Sequence, residues 1–136
     1  MILNLPKWLD QFFKRSGIIV LTVLTISCSS KLDAGNIDLE NWKNDRNGCR
    51  GLRIKDLEEL EKIKNTFLEA NNQELIMTFG RPDRVLLLDK SQSFFFYFLE
   101  PSDVCEGATE KEPLKVLFRL NAISRVSEVT VTRLDP

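Results

Sequence analysis

The stretch Phe94-Phe95-Phe96-Tyr97-Phe98-Leu99 decides the fold of this chain. Turn-forming residues flank it, at positions 89–93 before it and at Glu100-Pro101 after it, so the run is predicted to be one strand. Side chains alternate between the two faces of a strand, and here both alternating sets are apolar. The strand is therefore predicted to lie within a sheet that is covered by other elements on at least one face.

Further strands are predicted on both sides of this run. Residues 85–88 form a short apolar segment before it, and residues 114–120 alternate in part. After a turn at residues 121–124, Val129 and Val131 are predicted to face inward between polar neighbours. Helices followed by consecutive strands predict an α+β fold, with two N-terminal helices on one face of a three- to four-stranded antiparallel sheet.

Two helices are predicted before the strands. The first covers residues 56–69, with Asp56 as N-cap and Glu59 at capping-box spacing. The second begins at Asn71, with Glu74 at the same spacing. The outer face of the first helix is interpreted as a solvated surface rather than an acid–base pair; its charged residues are Glu58, Glu61, Lys62 and Glu69.

The N-terminal residues carry the pattern of an export signal. Lys14 and Arg15 precede a short apolar run, residues 17–27, that ends directly before Cys28. The run is well short of the ~20 residues that span a bilayer as a helix. The stretch Leu24-Thr25-Ile26-Ser27-Cys28 resembles a bacterial lipobox, which implies that Cys28 is diacylated and becomes the mature N-terminus. The alternatives are an ordinary signal peptide or an uncleaved anchor.

Three parts of the chain are expected from this reading. Residues 1–27 are the lipoprotein signal peptide, residues 28–41 a flexible tether, and residues 42–136 a single α+β domain. The tether is inferred because its residues are mostly polar and show no sustained apolar period.

Residues 42–53, W-K-N-D-R-N-G-C-R-G-L-R, are predicted to form turns because of their glycine, asparagine and aspartate content. The segment resembles a W-x-x-D-x-x-G-C stretch found in small lipoproteins of the Bacteroidetes type. Two interpretations are open. Asp45, Arg50 and Arg53 could form a charged binding rim, or the segment could be a structural wrap in which Trp42 covers the core and the charges are solvated.

The cysteines are consistent with export. The chain has three, and lipidation of Cys28 would leave Cys49 and Cys105. An even remainder in an exported domain predicts a disulfide between these two. The alternative is two unpaired buried thiols.

Composition argues against catalysis. The chain contains no histidine, so the commonest general base and metal ligand are missing. The cysteines lack the C-x-x-C spacing of a zinc site, and a net charge of -1 offers no basic patch for nucleic acid. We therefore expect a non-catalytic protein without catalytic residues, metal or cofactor.

Four short motifs in the second half resemble the BamE (SmpA/OmlA) family of small bacterial lipoproteins. They are Gly80-Arg81-Pro82, Phe96-Tyr97-Phe98, Lys115-Val116-Leu117-Phe118 and Val126-Ser127-Glu128-Val129. The resemblance covers roughly residues 56–134 and implies a two-layer fold and a role in outer-membrane protein assembly. The chain departs from the family pattern at Asn121 and Ser124 and in its cysteine-bearing N-terminal wrap.

An aromatic sheet face left open by the helices would be a partner surface. Phe95, Tyr97 and Leu99 are the expected partner-binding set, with the alternate residues of the same strand as the other choice, although the wrap with Trp42 could cover that face instead. The expected function is a non-catalytic lipoprotein of the outer membrane facing the periplasm. Acylated Cys28 would hold it in the bilayer, and its partner would be another envelope protein, by resemblance a β-barrel assembly component. The alternative is a secreted or periplasmic inhibitor or ligand-binding module of β-lactamase-inhibitor-like fold.

Overall fold

An antiparallel sheet is the framework of the computed structural model, which describes residues 30–89 and 91–136. Its four strands are neighbours in chain order: β1 (Arg84–Leu88), β2 (Gln92–Phe98), β3 (Lys115–Leu120) and β4 (Val126–Thr132). The predicted α+β fold is therefore confirmed. The predicted signal peptide and the lipidation site Cys28 lie outside the described residues.

Three α-helices of the described residues precede the sheet: α1 (Leu39–Asn44), α2 (Leu57–Ile63) and α3 (Asn72–Phe79). The capping box predicted for α3 is confirmed, because the Asn71 and Glu74 side chains each accept the backbone N–H of the other residue. The helix ends at Gly80, whose φ of 80° would strain any residue with a Cβ. No helix in the described part of the chain is long and apolar enough to cross a membrane.

The main core lies between the helices and one face of the sheet. β2 pairs with β1 on one side and β3 on the other, and Phe95 stands opposite Phe118 of β3. The ring of Phe79 on α3 lies 5.7 Å from Phe118 and 6.0 Å from Tyr97, centroid to centroid. Trp42 of α1 packs against the same group at 5.3 Å from Phe79. These aromatic contacts fix the helices on this face.

The single helix predicted over residues 56–69 is wrong in its second half. α2 is short, and the 3₁₀ helix Lys64–Phe67 continues from it. The capping box predicted at the start is also wrong. The Asp56 side chain makes no capping hydrogen bond, and the Glu59 carboxylate accepts the N–H of Asn36 at 3.2 Å. A contact with a distant segment has replaced the local one.

Residues 32–37, which precede α1, pack on the domain, although a flexible tether was expected over residues 28–41. The Leu32 N–H donates to Thr78 Oγ1 on α3 at 2.8 Å. Ala34 and Ile37 are both buried in the main core. Among the described residues, packing on the domain therefore begins at Leu32. The sequence did not predict it, because a few scattered apolar contacts show neither helical nor strand periodicity.

α1 also replaces part of the turns predicted over residues 42–53. Asp38 caps it by accepting a backbone N–H of the first turn at 3.0 Å, and Trp42 is then fully buried. The predicted turns follow after the helix, where Asn47 and Gly48 have φ values of 59° and 67°. The segment is thus one helical turn followed by a left-handed bend.

Candidate functional site

The predicted disulfide is present between Cys49 and Cys105, with 5.4 Å between their Cα atoms. It joins the bend after α1 to the loop between β2 and β3, across a sequence separation of 56 residues. A hydrogen bond runs beside it, from the Ser102 N–H to the Asn47 carbonyl at 3.0 Å. The two segments are therefore fixed to one another covalently and through their backbones.

Asp45 organises the bend that carries the disulfide. Its carboxylate is fully buried and accepts the backbone N–H groups of Arg50, Leu52 and Arg53 at 2.6, 2.7 and 3.0 Å. A buried carboxylate needs such donors to offset the loss of its hydration. Asp45 therefore shapes the backbone and is not available to a ligand.

Arg53 and Asp83 form a buried ion pair, with 2.5 Å between Nη1 and Oδ2. Arg53 Nε also donates to the Trp42 carbonyl at 2.8 Å, and Nη1 to the Phe98 carbonyl at 3.1 Å. The guanidinium carbon lies 5.3 Å from the Trp42 ring centroid and 5.7 Å from that of Tyr97. The pair is the point where the N-terminal segment, β1 and β2 meet.

These contacts decide between the two interpretations of the N-terminal segment. Of the three residues in the hypothetical binding rim, only Arg50 has an exposed side chain. Asp45 and Arg53 are buried, so the structural wrap is the interpretation that fits. Its charges were expected to be solvated, but those of Asp45 and Arg53 are hydrogen-bonded inside the fold. Sequence reasoning missed Asp83, the counter-ion of Arg53, because 30 residues separate the two.

The expected partner set, Phe95, Tyr97 and Leu99, is part of the main core. All three side chains are buried on the side of the sheet that faces the helices. The Tyr97 hydroxyl donates to the Gly80 carbonyl at 2.8 Å, and burial, together with the Asp83 charge, raises the pKa of Tyr97. An exposed partner surface made by this set is therefore not formed.

The alternating set, Phe94, Phe96 and Phe98, forms a second apolar cluster with Leu117 on the opposite face. These rings are buried as well. The guanidinium carbon of Arg84 lies 4.8 Å from the centroid of Phe96 and 5.2 Å from that of Phe98. A charged side chain from the neighbouring strand thus covers part of an aromatic face.

The N-terminal wrap does not cover this second face. Trp42 is fully buried on the helix side, with its ring centroid 6.2 Å from that of Tyr97. Trp42 thus covers the face that carries Phe95, Tyr97 and Leu99, which was the alternative to an exposed partner surface there. Lys115 borders the face of Phe94, Phe96 and Phe98, and its Nζ contacts Asp135 Oδ1 at 2.8 Å and donates to the Arg133 carbonyl at 2.8 Å.

β1 carries a group of exposed apolar side chains within one element. Leu87 is 73% exposed and Val85 48% exposed, and Leu88 is exposed on the other face. β1 pairs with β2 on one side only, and no described strand pairs with its other side. The apolar run at residues 85–88 predicted this strand, but it did not indicate that the strand lies at an edge of the sheet.

The titratable groups are explained by local contacts. A hydrogen bond from Arg133 lowers the pKa of Glu100, and one from Lys115 lowers the pKa of Asp135. Burial raises the pKa of Asp56. Among the described residues, no group of three or more cysteines or carboxylates is placed to hold a metal ion. The perturbed groups therefore mark ion pairs and packing.

Comparisons with known proteins identify no family for this chain. The sequence matches no protein-family model, and no curated protein or solved structure is significantly similar to it.

Proposed function

We propose that this chain is a non-catalytic lipoprotein of the cell envelope, anchored through acylated Cys28, whose α+β domain binds another envelope protein. The Cys49–Cys105 disulfide is the observation that carries the proposal. Disulfides form and persist in oxidising compartments outside the cytosol. Since the chain has three cysteines, the bridge leaves Cys28 as the unpaired one, directly after the apolar run at residues 17–27.

The packing of the first described residues adds a geometric consequence. Leu32 is already hydrogen-bonded to Thr78 on α3, so few residues separate Cys28 from the packed domain. Even fully extended, that connection reaches roughly 14 Å. A lipid on Cys28 would therefore hold the domain close to the membrane surface. The lipobox resemblance implies several acyl chains, and stable anchoring takes more than one.

The partner is proposed from the family resemblance. The BamE-like motifs point to the outer-membrane β-barrel assembly machinery, which would place the domain on the periplasmic side of the outer membrane. Phe95, Tyr97 and Leu99 lie in the core, so they are not the surface that contacts this partner.

Fatty-acid labelling tests the anchor. Wild type, Cys28→Ala and the matched control Cys49→Ser are produced with a radiolabelled fatty acid, and the mass of the mature N-terminus is measured. Wild type and Cys49→Ser should carry label on an N-terminal cysteine, whereas Cys28→Ala should carry none. Label that survives in Cys28→Ala would sink the proposal.

Affinity purification tests the partner. Solubilised membranes containing wild type or Cys28→Ala are compared, and an envelope protein should be recovered with wild type and lost with the variant. An identical membrane fraction and partner list for both chains would argue against anchoring. A mature form released without lipid would favour the inhibitor or ligand-binding alternative.

A further inference from the structure

The two edges of the sheet are protected differently. At the β4 edge, the Val126 N–H donates to the Ala70 carbonyl at 2.8 Å, and the Glu69 N–H donates to the Val126 carbonyl at 2.9 Å. Glu128 adds a charged, exposed side chain there. The β1 edge has no such cover from the described residues. Natural edge strands are usually covered, charged or bulged, because an open edge pairs with other strands.

β1 has none of these protections along its length. Its five residues include no lysine or proline, and its register with β2 runs without a bulge. Arg84 is the charged residue of the strand, but its guanidinium lies over Phe96 and Phe98 and leaves the edge uncovered. β1 is thus an open, largely apolar edge of the kind that accepts an additional strand.

We propose that β1 pairs in antiparallel fashion with β1 of a second copy of this chain, which joins two four-stranded sheets into one. A two-fold axis perpendicular to the sheet keeps each face on its own side. Residues opposite one another must then belong to the same alternating set. Centred on Leu86, this pairing places Leu86 opposite its own copy and Val85 opposite Leu87 of the other chain.

The neighbouring registers fit worse. A pairing centred on Val85 places Leu87 opposite Asp83, whose carboxylate is held in the buried pair with Arg53. A pairing centred on Leu87 places Val85 opposite Asp89. The register centred on Leu86 is the one that sets apolar side chains against apolar side chains on the helix side of the edge.

The size of the contact defines the kind of dimer. A five-residue strand is about 17 Å long and a sheet layer about 10 Å thick. Such a strip buries well under the roughly 1,000 Å² of a stable specific interface. The dimer is therefore reversible and depends on concentration. A second copy is favoured over an unrelated strand because, in this register, Val85 of each chain meets Leu87 of the other, while Arg84 stands opposite Leu88 on the other face.

Cysteine crosslinking tests the contact and its register. In Leu86→Cys the two cysteines would lie opposite one another, with about 4.5–5.5 Å between Cα atoms, which suits a disulfide. In the control Leu88→Cys, the two copies would lie about 13 Å apart along the strands. Both are made in the full chain, with and without Cys28→Ala, so that edge pairing and lipid anchoring are scored separately.

Leu86→Cys should form an oxidised homodimer in both backgrounds, and Leu88→Cys should not. Three results would overturn the proposal: no dimer from Leu86→Cys, equal dimer from both variants, or a crosslink from Leu86→Cys to a different protein in place of the homodimer.

A charge at the edge provides a second test with a matched control. Leu87 and Ile123 are 73% and 72% exposed, so neither Leu87→Lys nor Ile123→Lys should change the melting temperature. In sedimentation of the full chain in detergent, Leu87→Lys should weaken self-association at least tenfold, the loss expected when a leucine at a contact becomes a charge. Ile123→Lys should leave it unchanged. Equal self-association of the two variants would contradict the β1 contact.

Discussion

Two arginines lie over aromatic rings on opposite faces of β2, and they differ in almost everything else. Arg53 is fully buried between Trp42 and Tyr97 and is paired with Asp83 at 2.5 Å. The Arg84 side chain is 48% exposed, and its carboxylate partner in the C-terminal residues is 3.9 Å away. The same type of cation–aromatic contact is thus part of the buried core at Arg53, whereas at Arg84 it lies at the surface and is partly hydrated.

Removing each guanidinium in turn should show the largest difference between the faces. Arg53→Ala is expected to lower the free energy of unfolding by about 3–5 kcal/mol, because Asp83 is left buried without its counter-charge. Arg84→Ala should cost about 1 kcal/mol or less, as for an exposed cation–π contact. Urea denaturation measures both. Similar losses for the two variants would contradict the contrast.

The disulfide should have the next largest effect, on the helix side. Cys49→Ser is expected to lower the free energy of unfolding by about 2–4 kcal/mol, because the unfolded chain gains the freedom of an open loop. Thermal denaturation of wild type under reducing conditions serves as control and should give the same loss. A variant as stable as the oxidised wild type would show that the Arg53 network alone holds the N-terminal segment in place.

The loss of stability at alkaline pH should come from Tyr97, on the helix side of the sheet. Burial raises the pKa of Tyr97, and the Asp83 charge adds to the shift. The unfolded chain ionises near pH 10 while the folded chain stays protonated, so this stabilisation is complete below pH 10 and is lost as the pH rises above it. Tyr97→Phe should remove this loss in pH-dependent denaturation. An unchanged alkaline slope would argue against the burial of the hydroxyl.

The loss of stability at acid pH should come from carboxylates at the opposite face, and it should be the smallest of these effects. Hydrogen bonds from Arg133 and Lys115 lower the pKa values of Glu100 and Asp135. These carboxylates stabilise the fold above the unfolded pKa near 4, and the stabilisation is lost as the pH falls through their lower folded values. Asp135→Asn should flatten the acid slope and leave the alkaline one unchanged. A change at the alkaline end would break the separation between the faces.

Local signals in the sequence were enough to predict most elements. The spacing of Asn71 and Glu74 predicted the start of α3, because a capping box involves neighbouring residues only. The apolar runs predicted a three- to four-stranded antiparallel sheet, and the structure has four strands in chain order. The number of cysteines predicted the bridge between Cys49 and Cys105, since lipidation of Cys28 would leave these two to be paired.

Which face of β2 packs against the helices could not be predicted from the sequence. Residues 94–98 are aromatic at every position. The alternation of side chains along the strand therefore does not tell which set faces the helices and which set faces away from them. Arg53 and Asp83 are of residue types that are almost never fully buried unless paired, and their pairing across 30 residues has no local signature. The break after α2 was missed because apolar spacing continues through Phe67, although the backbone has already tightened.

The Cys49–Cys105 bridge also determines how the domain transmits tension. It closes a covalent loop that contains α2, α3, β1 and β2. A pull between the two ends of the chain unravels the residues before Cys49, then crosses the sulfur–sulfur bond to Cys105 and continues into β3 and β4. While the bond is oxidised, α2, α3 and the open β1 edge carry no tension, because they lie inside the closed loop. If the domain is anchored to a membrane at one end and pulled by a partner at the other, the β1 edge would therefore stay folded under that force.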